Sequence, residues 1–272
     1  MHNIEIAQSH LKGINPTDYT ISIRLRPGGF CFSLYNRPTR SYSVLYDVNS
    51  DNAELSLEQM GLLGEEFQRM NVIDDCEKWT LLPANIEGTD ANAIWELNFG
   101  QPPASPLCEA DIATAGTRCL YEPGADSVAL KSKFPNASLY PIQAADIAYT
   151  LQASQRAEKG YMGLDVRDKQ MCVYVAEKGR LQLANAYSYE TATDLLYFAM
   201  NVLHTLQFDQ NEMQVELWGK LPDAATPLLK RYIRHIAVAS PNDMFDYTGN
   251  IKKLANRHEY YDLFNITTIC AL

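Results

Sequence analysis

The fold is decided by residues 160–222, which read GYMGLDVRDKQMCVYVAEKGRLQLANAYSYETATDLLYFAMNVLHTLQFDQNEMQVELWGKLP. In the first half of this stretch, short apolar runs alternate with turn-forming residues, which predicts a meander of three strands. The block that follows is apolar on nearly every side, which predicts a helix buried on more than one side. In order, the predicted elements are strands 161–166, 171–175 and 181–187, helix 192–206 and strand 215–218.

The earlier part of the chain repeats this order of elements. Residues 19–25 alternate between apolar and polar side chains, the period of a half-buried strand. The turn Pro27-Gly28-Gly29 separates them from a second predicted strand, because proline presets its first torsion angle and glycine accepts a positive one. The remaining predicted elements of this copy are strand 30–35, strand 42–48, a helix over 57–67 and strand 79–82.

The two copies can be aligned by pattern, although their sequence identity is low. Cys31 matches Cys172, and the Gly28-Gly29 turn matches the turn at 168–169. Ser56 and Gln59 form a possible capping box, so we expect the first helix to begin at Ser56. The repetition predicts a tandem duplication of one α/β unit.

Further elements are predicted between the copies and after the second one. They are helix 90–99, an exposed linker 101–106, two strands within 110–121, helix 126–134, strand 137–140, helix 142–155, helix 224–234, strand 236–239 and a last helix from about 259. The predicted domain limits are a polar leader at 1–16, a first lobe at 17–157 with an insertion around 85–121, and a second lobe at 158–272.

Charge and composition restrict the kind of partner. The formal net charge is −10 and the pI is near 5.0, a balance that disfavours nucleic acid or an anionic membrane as the main partner. Residues 1–10 lack the basic flank and apolar stretch of a signal peptide. The longest apolar block, 195–206, is far shorter than the ~20 residues of a membrane span. Six scattered cysteines are typical of a reducing compartment, so we expect a cytoplasmic protein.

A meander followed by alternating helices and strands resembles the ribonuclease-H-like unit, and two such units in tandem resemble the actin-like ATPase architecture. The chain is also similar, over most of 19–272, to an uncharacterised bacterial family of unknown function assigned that duplicated fold. The segments that carry the similarity are 181–185, 194–198, 217–221, 229–233 and 140–142. To our knowledge the family has no established activity, so the resemblance implies a fold and no reaction.

The actin-like resemblance also implies a place for ATP and magnesium, between the lobes and facing both first hairpins. Active members carry an Asp near each hairpin turn, followed by Gly and Ser or Thr. In the first copy Arg24 stands at the Asp position, although Gly28 and Gly29 could form an anion-binding nest. The second copy keeps Asp165, but bulky residues replace the glycines and hydroxyls of its loop. Gly219 is the one glycine left of the adenosine motif.

Two hypotheses follow. The first is a non-catalytic actin-like scaffold whose nucleotide cleft is degenerate, which binds no cofactor and whose surfaces bind a protein partner. The alternative is a divergent phosphotransferase or ATPase in which Asp165, Gly219, Gly28 and Gly29 hold ATP with magnesium. We expect no separate metal site, because no histidine shows ligand spacing and the acidic run 74–77 is predicted to be a solvated loop before a strand.

Overall fold

The computed structural model describes residues 4–7 (backbone only), 14–50, 52–62, 66–86, 88, 90–242, 244–249 and 251–269, with the side chains of 268 and 269 left out. The chain forms two units. Unit 1 comprises residues 1–144, 242–255 and 262–272, and unit 2 comprises residues 145–241 and 256–261. The lobe limits predicted above, 17–157 and 158–272, stay a prediction.

Fifteen strands and seven α-helices lie in the described part of the chain. The strands are β1 (Ile4–Ala7), β2 (Tyr19–Arg26), β3 (Gly29–Asn36), β4 (Ser41–Val48), β5 (Arg69–Asp74), β6 (Trp79–Pro83), β7 (Cys108–Ile112), β8 (Thr117–Tyr121), β9 (Ser138–Pro141), β10 (Tyr161–Val166), β11 (Gln170–Glu177), β12 (Arg180–Ser188), β13 (Gln214–Gly219), β14 (His235–Val238) and β15 (Asp246–Tyr247). The helices are α1 (Ala53–Gln59), α2 (Ala91–Phe99), α3 (Ala125–Lys133), α4 (Ile142–Ser154), α5 (Ala192–Thr205), α6 (Ala225–Leu229) and α7 (Tyr261–Ile269).

Unit 1 is built on a seven-stranded sheet in the order β1-β4-β3-β2-β5-β9, with β15 also beside β4. Strands β2, β3 and β4 form the predicted antiparallel meander, while β5 and β9 run parallel to β2. One face of the sheet packs against α1 and α3 through an apolar core that includes Ile23, Phe32 and Leu130. Helix α7 lies on the other face, where Phe264 contacts Tyr42.

Two expectations for the first copy are wrong. Its fourth strand is β5, not residues 79–82, which form β6 in a separate three-stranded sheet with β7 and β8. The first helix begins earlier than Ser56, because the side chain of Asn52 accepts a hydrogen bond from the backbone N–H of Leu55 at 2.8 Å and so caps the helix. That helix ends at Gln59, and residues 63–65 of the predicted helix lie outside the described residues.

The insertion in unit 1 has its own small core. Sheet β6-β8-β7 and helix α2 enclose Trp95, which contacts Leu82 and Leu120. The two strands predicted on either side of Gly116 are confirmed as β7 and β8. Gly116 lies between them in a left-handed conformation, at φ +62°. The helix predicted at 90–99 is confirmed as α2, with Asp90 as its N-cap.

Unit 2 contains one five-stranded sheet in the order β12-β11-β10-β13-β14. The predicted meander is confirmed, and β13 and β14 run parallel to β10. Its core lies between the sheet and helices α5 and α6, and includes Leu164, Val173 and Leu203. Helix α6 ends at Leu229, five residues earlier than the sequence pattern predicts.

Helix α5 corrects the expectation of burial on more than one side. Leu195, Ala199, Val202 and Leu203 are buried against the sheet, but Tyr197 is 63% exposed. Leu196, Phe198 and Met200 are only partly buried, because the helix lies in an outer layer with the sheet on one side. Part of its apolar surface therefore faces solvent in the described protein.

Strand register supports the duplication. Arg24 lies opposite Cys31 and beside Ile73 in unit 1, and Asp165 lies opposite Cys172 and beside Trp218 in unit 2. The first two strands and the parallel fourth strand thus pair in the same register in both units, which confirms the predicted match of Cys31 with Cys172.

Candidate functional site in the two first hairpins

The first hairpin of unit 2 holds Asp165 in an ion pair. Asp165 is 2% exposed, and its Oδ2 accepts a hydrogen bond from Nε of Arg167 at 2.6 Å and lies 2.5 Å from Nη2 as an ion pair. Arg167 is positioned by the turn, where its backbone N–H donates to the carbonyl of Gln170 at 2.8 Å. The turn also requires a left-handed residue, and Lys169 adopts it at φ +58°.

A second carboxylate approaches the same guanidinium. Asp146 of helix α4 places its Oδ2 3.9 Å from Nη2 of Arg167, and the side chains of all three residues are almost completely buried. Arg167 thus lies between two acidic groups and compensates their charge. A metal ion bound at Oδ2 of Asp165 would displace this guanidinium and leave Arg167 buried without that contact.

Gly219 is brought next to Asp165 by the parallel pairing of β13 with β10. A Cβ atom at Gly219 would lie 2.2 Å from the carbonyl oxygen of Val166 and 2.8 Å from Oδ1 of Asp165, and the residue has φ +85°. The next residue, Lys220, donates its backbone N–H to Val166 at 2.7 Å. Strand contact alone therefore explains the glycine at this position.

The equivalent position of unit 1 carries the opposite charge. Nη1 of Arg24 donates to Oδ1 of Asp262 in helix α7 at 2.8 Å, and both side chains are largely buried. Each unit therefore places a buried ion pair beneath its first hairpin. The cysteines opposite these positions are inert thiols, because burial raises the pKa of Cys31 and of Cys172 to about 12.

The turn of the hairpin in unit 1 consists of Pro27 and Gly28, because Gly29 already begins β3 opposite Arg26. The expected match of Gly28-Gly29 with the turn at 168–169 is therefore wrong by one residue. Gly28 and Gly29 are glycine for different reasons. Gly28 has φ +72° with open space where a Cβ would lie. At Gly29 a Cβ would lie 2.4 Å from the carbonyl oxygen of Val48, so the neighbouring strand excludes a side chain. Arg26, at the start of the turn, is paired with Asp47.

A pocket of about 410 Å³ lies beside this turn, within unit 1. Its wall contains the turn, the loop after β5 and the first residues of α3. The carboxylates in its lining are Asp74, Asp75, Glu77, Glu122 and Asp126.

Asp74 corrects the expectation of a solvated loop at 74–77. It is the last residue of β5 and is 4% exposed. Its Oδ2 accepts the backbone N–H of Gly124 at 2.8 Å, at the beginning of α3. Burial, the largest effect, raises the pKa of Asp74 above its ordinary value, although the bond to Gly124 opposes that shift. The fourth strand of this unit therefore ends on a buried carboxylate, whereas the sequence pattern placed that strand at the uncharged residues 79–82.

The electrostatic character of the pocket follows from its lining. Carboxylates outnumber cationic groups there, so its field repels phosphate unless a cation intervenes. Within the described ranges, no three Asp, Glu, His or Cys side chains are grouped so that they could hold a metal ion. Likewise, no described helix has both the length and the apolar character needed to cross a bilayer.

Comparison with known protein families identifies the family of this chain. A family described as "Protein of unknown function (DUF3822)" matches residues 8–236. The chain belongs to this family. Its fold and its lack of an assigned activity agree with the resemblance found from the sequence.

Two solved structures show that the DUF3822 chain has the fold of actin-like ATPases. A protein of Bacteroides thetaiotaomicron VPI-5482, described as having an actin-like ATPase fold and unknown function, is 21% identical with a TM-score of 0.75 over 86% of this chain and 95% of that one. The structure of a PilM–PilN type IV pilus biogenesis complex is 11% identical with a TM-score of 0.62 over 93% of this chain and 99% of that one. The predicted α/β fold, with the actin-like ATPase architecture, is thereby confirmed. Among curated proteins, none matches.

Proposed function

We propose that the protein is a non-catalytic, protein-binding member of the actin-like ATPase fold. The observation that carries the proposal is the pair of buried ion pairs at the two hairpin positions. Asp165 is neutralised by Arg167, and Arg24 is neutralised by Asp262. Both strand positions that would face phosphates in an active member are thus satisfied within the protein itself.

The donor set also fits ATP with magnesium poorly. Stabilising a transferring phosphoryl group needs a metal held by carboxylate and donors directed at the phosphate oxygens. Asp165 is paired with Arg167, and the backbone of Val166 occupies the space beside Gly219. Gly28 and Gly29 border a pocket lined with carboxylates. The phosphotransferase hypothesis, which assigns these four residues to ATP, would need both ion pairs and the charge of the pocket to be overcome.

A protein is the partner class that the proposal favours. The net charge of −10 opposes binding to nucleic acid and to anionic lipid. One similar structure, the PilM–PilN complex, is an actin-like chain solved together with a protein partner. At 11% identity this likeness carries only the fold, so the identity of the partner does not transfer.

The proposal is tested by unfolding temperature and by phosphate release, each with and without ATP and magnesium. A ligand present at a hundred times its Kd stabilises the folded state by ~2.7 kcal/mol, which a thermal scan detects easily. We expect no shift and no phosphate release from the wild type.

Two variants make the result specific to the hairpin. Arg167→Gln frees Asp165 from its partner, and Asp165→Asn removes the carboxylate. Magnesium-dependent phosphate release by the wild type that Asp165→Asn abolishes would overturn the proposal and favour the phosphotransferase hypothesis. Magnesium-ATP binding that appears only in Arg167→Gln would support it, because the ion pair then blocks the site.

A further inference from the structure

A second pocket, of about 400 Å³, lies at the amino ends of the parallel strands of unit 2. Its lining includes Gly160, just before β10, together with Gln214 and His235, the first residues of β13 and β14. The first hairpin turn follows Val166, at the opposite end of β10. The pocket is therefore separate from the candidate site described above, and its volume suits a small molecule.

Glu216 is held in this pocket by two tyrosine hydroxyls. Tyr161 and Tyr149 both donate to its Oε2, at 2.8 Å and 3.1 Å. Burial raises the pKa of both tyrosines, so they stay protonated and remain donors. No described residue donates to the other oxygen, Oε1. The carboxylate is thus fixed in place with one oxygen available to a ligand.

Arg234 brings the opposite charge to the same pocket. Its backbone N–H donates to the carbonyl of Gln210 at 3.2 Å, and its neighbour Ile233 is buried in the core. The backbone is therefore anchored while the side chain of Arg234 is exposed. Its guanidinium forms no ion pair with the described residues, although Glu212 and Glu216 line the pocket with it.

The register of the two strands gives the separation of the opposite charges. Glu216 lies opposite Ala237, three residues after Arg234 along the chain. Three residues of about 3.3 Å each and one strand spacing of about 4.8 Å place the Cα atoms of Glu216 and Arg234 ~11 Å apart. Two charged side chains that line one pocket at this spacing, without pairing, leave room for a ligand with both an ammonium group and a carboxylate.

The pocket has an excess of negative charge. Besides Glu216, its lining contains Glu158 and Glu212, both of which are exposed. Glu212 lies 3.9 Å from Nζ of Lys159, a weak pair because both side chains are more than half exposed. Three carboxylates and one guanidinium are complemented by a ligand with two ammonium groups and one carboxylate.

We propose that this pocket binds a basic α-amino acid, with its carboxylate at Arg234 and its α-ammonium group at Oε1 of Glu216. The side-chain ammonium group lies toward Glu158 and Glu212. The inference goes beyond the proposed function and does not depend on it, because the pocket lies at the end of the sheet opposite the first hairpin. A ligand with one of these charges missing would leave a charged group of the pocket without a partner in the complex.

The first test is calorimetric titration of the full chain with L-lysine and three analogues. L-lysine amide lacks the carboxylate, Nα-acetyl-L-lysine lacks the α-ammonium group, and L-norleucine lacks the side-chain ammonium group. We expect L-lysine to bind with a Kd of order 1 mM or below, as is usual for a ligand of about ten non-hydrogen atoms. Each analogue should bind about tenfold more weakly, because it loses one charge-assisted contact.

Two variants assign the contacts to individual residues. Arg234→Gln and Glu216→Gln each remove one charge, and we expect each to raise the Kd for L-lysine about tenfold. Arg234→Gln should no longer distinguish L-lysine from its amide, and Glu216→Gln should no longer distinguish L-lysine from Nα-acetyl-L-lysine. Arg231→Gln is the matched control, because Arg231 is an exposed cation of the same turn that does not line the pocket.

Three results would overturn the proposal. They are a wild type that L-lysine does not saturate at about 10 mM, an amide or acetyl analogue that binds as tightly as L-lysine, and an Arg234→Gln variant whose Kd is unchanged. Thermal unfolding of each variant without ligand shows whether it is folded. Arg234→Gln keeps the test decisive if Glu216→Gln does not fold, because the side chain of Arg234 is exposed.

Discussion

Arg24 and Asp165 occupy the same position in the two duplicated meanders, yet they carry opposite charge. In each unit the partner comes from outside the hairpin strand: Asp262 from helix α7 in unit 1, and Arg167 with Asp146 in unit 2. In both units this position is part of the internal electrostatics of the fold. The duplication thus preserved a buried charge here while its sign changed.

Removing one partner of the pair in unit 1 should be costly. Arg24→Leu leaves Asp262 buried without its guanidinium, and we expect the free energy of unfolding to fall by ~3–5 kcal/mol in a denaturant titration. The matched control is the double variant Arg24→Leu with Asp262→Leu, which removes both charges. It should recover most of the loss, and a single variant that costs under about 1 kcal/mol would contradict the pair's importance.

Substitutions at two glycines of the candidate site allow the cost of backbone strain to be measured apart from the cost of a steric clash. Both Gly28 and Gly219 have positive φ, but only Gly219 has backbone oxygen where a Cβ would lie. We expect Gly28→Ala to cost ~1–2 kcal/mol from its φ alone. Gly219→Ala should cost clearly more, because a contact of 2.2 Å with Val166 forces β13 to move. Equal losses in thermal unfolding would show that strand contact does not constrain Gly219.

Asp74 predicts a pH dependence of stability. Burial raises the pKa of Asp74 in the folded protein above its ordinary value, so the folded state keeps the proton to a higher pH than the unfolded chain. Between the two pKa values unfolding releases a proton, and the contribution of Asp74 to stability falls as pH rises. Asp74→Asn keeps an oxygen for the N–H of Gly124 but cannot ionise.

We therefore expect Asp74→Asn to gain stability relative to the wild type between about pH 4 and about pH 7. Urea titrations of both proteins across that range measure the difference. A difference that is constant with pH, or that shrinks as pH rises, would mean that the carboxylate is stabilised in its ionised form.

Sequence reasoning found the residue types of the site but not their partners. It identified Arg24 at the Asp position and the bulk of Arg167 beside Asp165. It could not connect Arg24 to Asp262, because 238 positions separate them along the chain. The contact of Asp146 with Arg167 was hidden for the same reason, since a helix and a hairpin turn meet only after folding.

Among the elements, helix α5 has a clear division between a buried and an exposed face. Leu203 is fully within the core of unit 2, and we expect Leu203→Ala to cost ~2–5 kcal/mol through the cavity it leaves. Tyr197→Ser on the exposed face serves as the control and should change the stability by less than about 0.5 kcal/mol. A loss below about 1 kcal/mol for Leu203→Ala in a denaturant titration would contradict its central position.

The elements that sequence predicted well are those with strong turn signals. Glycine, proline and acidic turns separated the strands of both meanders, so their limits agree with the structure within one or two residues. Strand β5 was missed because Arg69–Asp74 places buried Asn71 and Asp74 among its apolar residues, which reads as a polar interruption. Helix α5 was misjudged because an apolar composition does not reveal how many layers cover a helix.

At the scale of the whole molecule, unit 1 is completed by two segments from the last part of the sequence. Residues 242–255 and 262–272 belong to it although they follow most of unit 2. The hydroxyl of Tyr42 donates to the carbonyl oxygen of Phe264 at 2.9 Å, and the two rings meet edge to face. The final helix is thus part of the core beneath the first meander.

This arrangement predicts where a C-terminal substitution acts. Phe264→Ala should increase amide hydrogen exchange in β3 and β4, because the cavity opens beneath them. Leu203→Ala is the control and should increase exchange in β10–β13. An exchange pattern in which Phe264→Ala affects only unit 2 would contradict the assignment of α7.

The position of α7 has a consequence for synthesis of the chain. The first 144 residues leave the ribosome early, but the core around Tyr42 is complete only after Phe264 is translated, roughly 120 residues later. At about 5–20 residues per second, the delay is of order ten seconds. Throughout that interval Tyr42 lacks its contact with Phe264, so we expect the nascent chain to bind chaperones until Phe264 has been translated.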